Sequence, residues 1–178
     1  MKRMSVVAAA AALVASTVAV SSVGAQAVEH PIIGVWSLDR EASSYSPGSG
    51  PMGQRRQFRA GDDGFVYVTR ITVAPNGNPT FALTRMKFDG RDYEVWGMAN
   101  LAAFLAEEDQ PRRTAAFEMA GDRSLRLTQK NAAGDVGPLG PNMWEVSADG
   151  STLTVTTSGT NANGDRVHNV EVYNRVEN

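Results

Sequence analysis

No cysteine occurs anywhere in this sequence, and that absence closes several routes to stability and function at once. Disulfide staples, thiolate-bound zinc and lipid attachment through an amino-terminal cysteine are excluded, so burial and backbone pairing must hold the fold. Histidine is nearly as scarce, with His30 and His168 the two present. Neither a conventional catalytic triad nor a multi-histidine metal centre can be built from them, and no metal or cofactor is expected. His30 is expected in a flexible amino-terminal arm, which leaves His168 as the one candidate general base. The chain holds no G-x-S-x-G elbow, no H-E-x-x-H pair and no glycine loop that would cradle phosphates; its glycines mark turns. Excess basic charge is missing as well. With 17 Lys and Arg against 19 Asp and Glu the net charge is -2, and no nucleic-acid partner is expected.

What is present begins with a basic start, Met1-Lys2-Arg3-Met4, an uncharged Ala- and Val-rich run over residues 6–23, and Ala25-Gln26-Ala27. This order predicts a secretory signal peptide over residues 1–27, cleaved after Ala27, and a periplasmic or secreted product. The apolar run is short for a membrane span and ends on small residues rather than on a basic stop, so no lasting anchor is expected. Cleavage takes Lys and Arg from 17 to 15 and the charge from -2 to -4. Residues 28–178 then form one domain, of a length that supports one core.

From Val28 onward the hydrophobic pattern has a period of two residues, broken by Gly, Asn, Asp and Pro, which predicts a meander of antiparallel strands. Strands are expected at 32–38, 54–59, 65–72, 79–88, 93–96, 114–119, 125–130, 143–147, 152–158 and 166–175. Residues 39–53 read as a long loop, with Tyr45 either a lid contact or a pin that holds the loop to the wall. Residues 98–108 depart from the pattern: Leu101, Phe104 and Leu105 fall at helical spacing and predict a short helix or loop. The acidic run Glu107-Glu108-Asp109 reads as solvated loop rather than as a calcium site. The fold class is all-β, a single antiparallel up-and-down barrel of about eight to ten strands.

In such a barrel the more apolar alternate set of each strand should face the lumen. By that rule Leu153 and Val155 point in, as do Val170 and Val172 with His168, while Asn169, Glu171 and Tyr173 point out. Ala115, Phe117 and Met119 make another inward set, followed by Leu125 with Leu127 and by Trp144 with Val146. The middle strands do not decide. Phe65, Tyr67, Thr69 and Ile71 oppose Val66, Val68, Arg70 and Thr72; Phe81, Leu83, Arg85 and Lys87 oppose Ala82, Thr84, Met86 and Phe88. If Phe81 and Leu83 face in, Arg85 enters the lumen and needs a carboxylate or an anionic ligand; otherwise it stands at the rim in water.

Gly34-Val35-Trp36 lies in the first strand and Tyr173-Asn174-Arg175 in the last, two strands that a closed barrel must bring together. Once paired, the Arg175 guanidinium can cover the Trp36 indole and plug one end. A G-x-W on the first strand with a late arginine on the last resembles the lipocalin signature. The chain as a whole is similar to secreted bacterial lipocalin-like barrels of the calycin type. That resemblance implies a lumen that binds a small apolar or aromatic molecule, for which Tyr67, Phe81, Arg85, Tyr93, Trp96, Phe117, Trp144 and His168 are the candidate contacts. A second reading is a cofactor-free lyase or isomerase acting on a small carbonyl or phenolic compound, with His168 as general acid or base and Tyr67 and Arg85 as partners; Arg70, Tyr93 and Glu94 are further polar groups able to converge there. The third is an envelope interaction protein with a filled barrel. Binding leads, because a barrel of this size encloses one small ligand.

Overall fold

The computed structural model describes residues 28–98, 113–137, 139–161 and 163–176. The expected signal peptide, the acidic run at 107–109 and, apart from Met98, the helix expected at 98–108 lie outside these residues. Ten strands make up the described chain: β1 (Gly34–Ser44), β2 (Gly53–Ala60), β3 (Val66–Val73), β4 (Pro79–Met86), β5 (Tyr93–Met98), β6 (Arg113–Gly121), β7 (Ser124–Lys130), β8 (Asn142–Val146), β9 (Thr152–Thr160) and β10 (Arg166–Val176). Each pairs antiparallel with its neighbour in sequence, and β1 pairs with β10, which closes a single up-and-down barrel. The period-two pattern therefore reads the class, the strand order and the strand count correctly. Closure leaves none of these ten strands at a free sheet edge among the described residues.

Strand boundaries differ from the sequence reading by up to two residues at most ends, and by six at the end of β1. The chain remains a strand through Ser44, and the register with β10 slips between Asp39 and Ser44. Side chains supply what the slipped ladder loses: Ser43 Oγ accepts from Val172 N at 2.9 Å, and Asp39 Oδ1 accepts from the backbone N–H groups of Glu41 and Ala42. Polar residues that look like loop formers here serve as substitutes for ladder bonds.

At one end the barrel is plugged as the G-x-W pattern predicts. Trp36 is fully buried and stands opposite Arg175 in the ladder, with the guanidinium carbon 4.2 Å from the centre of the indole. The same guanidinium donates to the carbonyls of Gly150, Ile33 and Pro31, and Trp36 Nε1 donates to Ile32 O at 2.8 Å. Gly34 has φ +143°, and a Cβ there would collide with Arg175 Nη1, so the glycine is what lets the arginine cross. These bonds correct the reading of His30 as part of a flexible arm. The segment Val28–Ile33 folds across the plug, His30 Nδ1 accepts from Ile32 N at 3.1 Å, and its ring meets Phe88 edge-on at 5.5 Å. Burial pushes the His30 pKa down.

The β8–β9 turn carries a second anchor of this end, since Gly150 O and Ser151 O accept from Arg175 Nε and Arg175 N. Its shape depends on Asp149, whose Oδ1 accepts from Ser147 Oγ, Ser151 N and Ser151 Oγ. These bonds, that from Ser147 first, hold the Asp149 pKa down to about 2. The folded value lies below the unfolded one of about 3.9, so the contribution is complete above that pH and is lost as pH falls through about 2. Thermal melts of wild type and Asp149→Asn should accordingly differ near neutrality and converge on acidification; a gap unchanged from pH 7 to pH 2 would show that this carboxylate is not the cause.

The faces of the strands bring further corrections. Tyr173 is fully buried, and Glu171 and Asn169 share its inward face. His168, Val170 and Val172 therefore lie on the outside, the reverse of the sequence reading. Hydropathy ranked the two faces of β10 wrongly because the lumen at this level is polar, and Glu171 finds a buried cation there. In β3 and β4 the inward sets are Val66, Val68, Arg70 and Thr72, and Ala82, Thr84 and Met86. Phe65, Tyr67, Phe81, Leu83 and Arg85 take the outer face. Cations cover much of that aromatic surface: the Arg85 guanidinium lies 3.8 Å from the Phe65 ring centre, Lys87 Nζ 4.7 Å from the same ring, and Arg59 4.8 Å from Tyr67. Met119, expected inside, is exposed at the end of β6, where the register with β7 shifts.

Candidate ligand site in the barrel lumen

Moving away from the plug, the inward residues of β2 run Phe58, Arg56, Gln54 and those of β10 run Tyr173, Glu171, Asn169. The lumen thus changes from apolar to polar along its axis. The apolar half is filled: Phe58, Phe117 and Trp144 meet edge to face, with centroids 5.2 Å apart for Phe117 and Trp144 and 5.8 Å for Phe58 and Trp144. Leu125, Leu153 and Val146 pack around them.

Above this cluster sits Arg56, only 6% exposed. Its guanidinium carbon lies 4.5 Å from the Trp144 ring centre and 5.0 Å from that of Tyr173, so two aromatic faces hold it. Its Nη2 pairs with Glu171 Oε2 at 3.0 Å. Tyr173 Oη lies 2.7 Å from the same oxygen and also bonds the Gln54 side chain, which reaches on to Thr72 Oγ1. Burial raises the Tyr173 pKa, with the Glu171 charge adding to it, so the phenol keeps its proton and shares it between the Glu171 carboxylate and Gln54 Oε1. The buried ion pair is supported by the two aromatic faces and by the bonds of Tyr173 and Gln54, while Arg56 Nε is left without a partner among the described residues.

Beyond the network lies a cavity of about 360 Å³, lined on its polar side by Gln54, Arg56, Arg70, Asn142, Asn169 and Glu171 and on its apolar side by Trp144, Val155 and Leu139. A smaller lobe of about 70 Å³ lies beside it among Val68, Ala82, Met86, Val95 and Phe117, and shares Arg56, Arg70 and Trp144 with the first. Gly137, Leu139 and Gly140, from the segment between β7 and β8, complete the wall. Three buried polar atoms on lining residues have no hydrogen-bond partner among the described residues: Arg56 Nε, Trp144 Nε1 and Asn142 Oδ1. A small molecule with both apolar and polar parts is what such a lining can hold.

No protein-family model matches the chain, and no match was found among curated proteins. Among solved structures the chain is similar to the crystal structure of Rv2717c from M. tuberculosis, with a TM-score of 0.49 and 14% identity over 83% of this chain and 94% of that one.

Of the contacts predicted from sequence, Phe117 and Trp144 face the lumen, and Trp144 borders both lobes. Tyr93 lies beside the core, its hydroxyl bonded to Asp89 at 2.9 Å and its ring edge-on to Phe65. Tyr67, Phe81, Arg85 and Trp96 stand on the outer face, where Trp96 is 67% exposed and Arg85 pairs with Asp63 at 2.6 Å. His168 is exposed too, with Nδ1 at 2.9 Å from Ser158 Oγ across the β9–β10 ladder. It does not border the cavity, nor do Tyr67 and Arg85. Tyr45 packs its ring against Gly50, where a Cβ would overlap it, and so pins the β1–β2 loop. The residues that the sequence reading missed are Gln54, Arg56, Asn142 and Glu171. Phe58, buried two positions after Arg56, was the usable signal: fixing it inward fixes Gln54 and Arg56 inward as well.

Proposed function

We propose that the protein is a secreted or periplasmic lipocalin-like barrel that binds one small molecule with a largely apolar body in its lumen. The observation that carries this reading is the cavity of about 360 Å³ beyond the Arg56–Glu171 pair, of the size of small-ligand pockets and lined by an indole and aliphatic groups beside unsatisfied polar atoms. The Trp36–Arg175 plug supports the lipocalin-like part of the reading, because it shuts one end of the barrel. The amino-terminal pattern supports export. A filled barrel is the weaker account, since only the half around Phe58, Phe117 and Trp144 is packed solid. Catalysis through His168 is weaker as well, since that imidazole lies on the wall's outer side.

Purification from the native compartment under non-denaturing conditions, followed by mass spectrometry, tests the proposal. The expected result is a chain that begins at Val28, recovered from periplasm or medium, and a small organic molecule released only when the protein is denatured. A cytosolic product that begins at Met1 would remove export. Empty protein that binds no member of an extract from the same compartment would remove the ligand site.

A further inference from the structure

Arg56 and Arg70 are direct partners in the β2–β3 ladder, side by side on the lumen face. Like charges in directly opposed sheet positions repel one another. Arg56 is answered by Glu171, whereas Arg70 makes no ion pair or hydrogen bond among the described residues. The other ionisable groups that act on this pair are Arg113 from β6, Tyr173, and Tyr45 near Glu171. Tyr173 is protonated, so among the described residues Glu171 is the one carboxylate acting on the buried Arg56, the half-buried Arg70 and Arg113 at the edge. Burial and the Arg56 charge together pull the Arg70 pKa down to about 10, which still leaves it cationic at neutral pH. A lumen with surplus positive charge, beside a cavity with the orphaned N–H groups of Arg56 and Trp144 on its lining residues, is an unfinished anion site.

Resting on the lumen-binding reading, we infer that the ligand carries an oxyanion head, a carboxylate or a phosphate ester, which binds between Arg70 and Arg56. Its apolar body reaches into the inner lobe among Val68, Met86, Val95 and Phe117. Glu171 holds Arg56 in place between the Trp144 and Tyr173 rings, and Arg70 supplies a charge that no ion pair among the described residues neutralises. Arg70 is then a specificity residue with a stability penalty in the free protein.

The test uses calorimetric titration with 4-phenylbutyrate, phenyl phosphate, 4-phenylbutyramide and 4-phenylbutylamine, on wild type and Arg70→Met. At least one of the two anions should bind about tenfold or more tightly than the neutral amide, the better of them identifying the head group, and the amine should bind least. Arg70→Met should abolish the anion preference and leave the amide's affinity within about twofold. The melting temperature of the ligand-free variant should also rise, by about 2–4 °C, because an uncompensated charge beside Arg56 is gone. A fall in melting temperature with the anion preference intact would make Arg70 a structural prop and overturn the inference. Amide and anions bound equally by wild type would overturn the head-group assignment while the lumen site stands; no binding by any of the four would count against both.

Discussion

Trp36→Ala is expected to lower the unfolding free energy by about 3–5 kcal/mol, among the largest effects of any single change in this chain. The indole is fully buried at the closing seam, and its loss opens a cavity under the Arg175 guanidinium. It also frees the Ile32 carbonyl, so the amino-terminal segment that covers the plug loses an anchor. Arg175→Ala should destabilise less, because the indole remains packed, although the carbonyls of Gly150, Ile33 and Pro31 lose their shared donor. Gly34→Ala belongs to the same test, since its Cβ would displace that guanidinium. Denaturant unfolding should place Trp36→Ala far below wild type and Arg175→Ala between them. A Trp36→Ala midpoint indistinguishable from wild type would mean that the seam is not what holds the barrel closed.

Glu171→Ala is expected to destabilise by a similar amount, about 3–5 kcal/mol, for an electrostatic reason. It leaves Arg56 buried between Trp144 and Tyr173 with no counter-ion among the described residues, and beside Arg70 in the ladder. The phenol of Tyr173 loses one of its two acceptors in the same step and keeps Gln54 Oε1. Replacing the pair together, as Arg56→Met with Glu171→Leu, should recover part of the loss, because the stranded Arg56 charge and its repulsion of Arg70 are both gone, although Arg70 then lacks Glu171. A double-mutant cycle from urea melts measures the coupling. If Glu171→Ala lies within about 1 kcal/mol of wild type, the pair behaves as a solvated surface bridge and the lumen is wetter than its packing implies.

The contrast between these two residues shows what the sequence could disclose. Trp36 and Arg175 were legible because closure is a property of chain order: first and last strands must meet, and a glycine two residues before a tryptophan marks the crossing. Strand count was legible for a similar reason, since turn residues punctuate a period-two pattern throughout. Glu171 was misplaced because hydropathy measures transfer to an apolar medium, and this lumen is apolar for only half its length. Val170 and Val172 looked like the core face, yet Tyr173 buries more apolar surface than either valine and takes Glu171 inward with it. On β3 and β4 the aromatic residues were read as ligand contacts, whereas Arg59, Arg85 and Lys87 cap Phe65 and Tyr67 on the outer face. Those cations lie on neighbouring strands, in a register that no local pattern specifies. His30 was missed because its role depends on a plug that exists only after closure.

The three tryptophans allow the central claim to be tested in one spectrum, since Trp36 lies at the seam, Trp96 on the outer face and Trp144 in the lumen wall. Their indole N–H groups give separate signals in a proton–nitrogen correlation, assignable through the three single Trp→Phe variants. Titration with 4-phenylbutyrate should move the Trp144 signal, whose donor has no partner among the described residues, and leave those of Trp36 and Trp96 in place. Movement of Trp96 with Trp144 unchanged would put the ligand on the outer aromatic face and contradict the account.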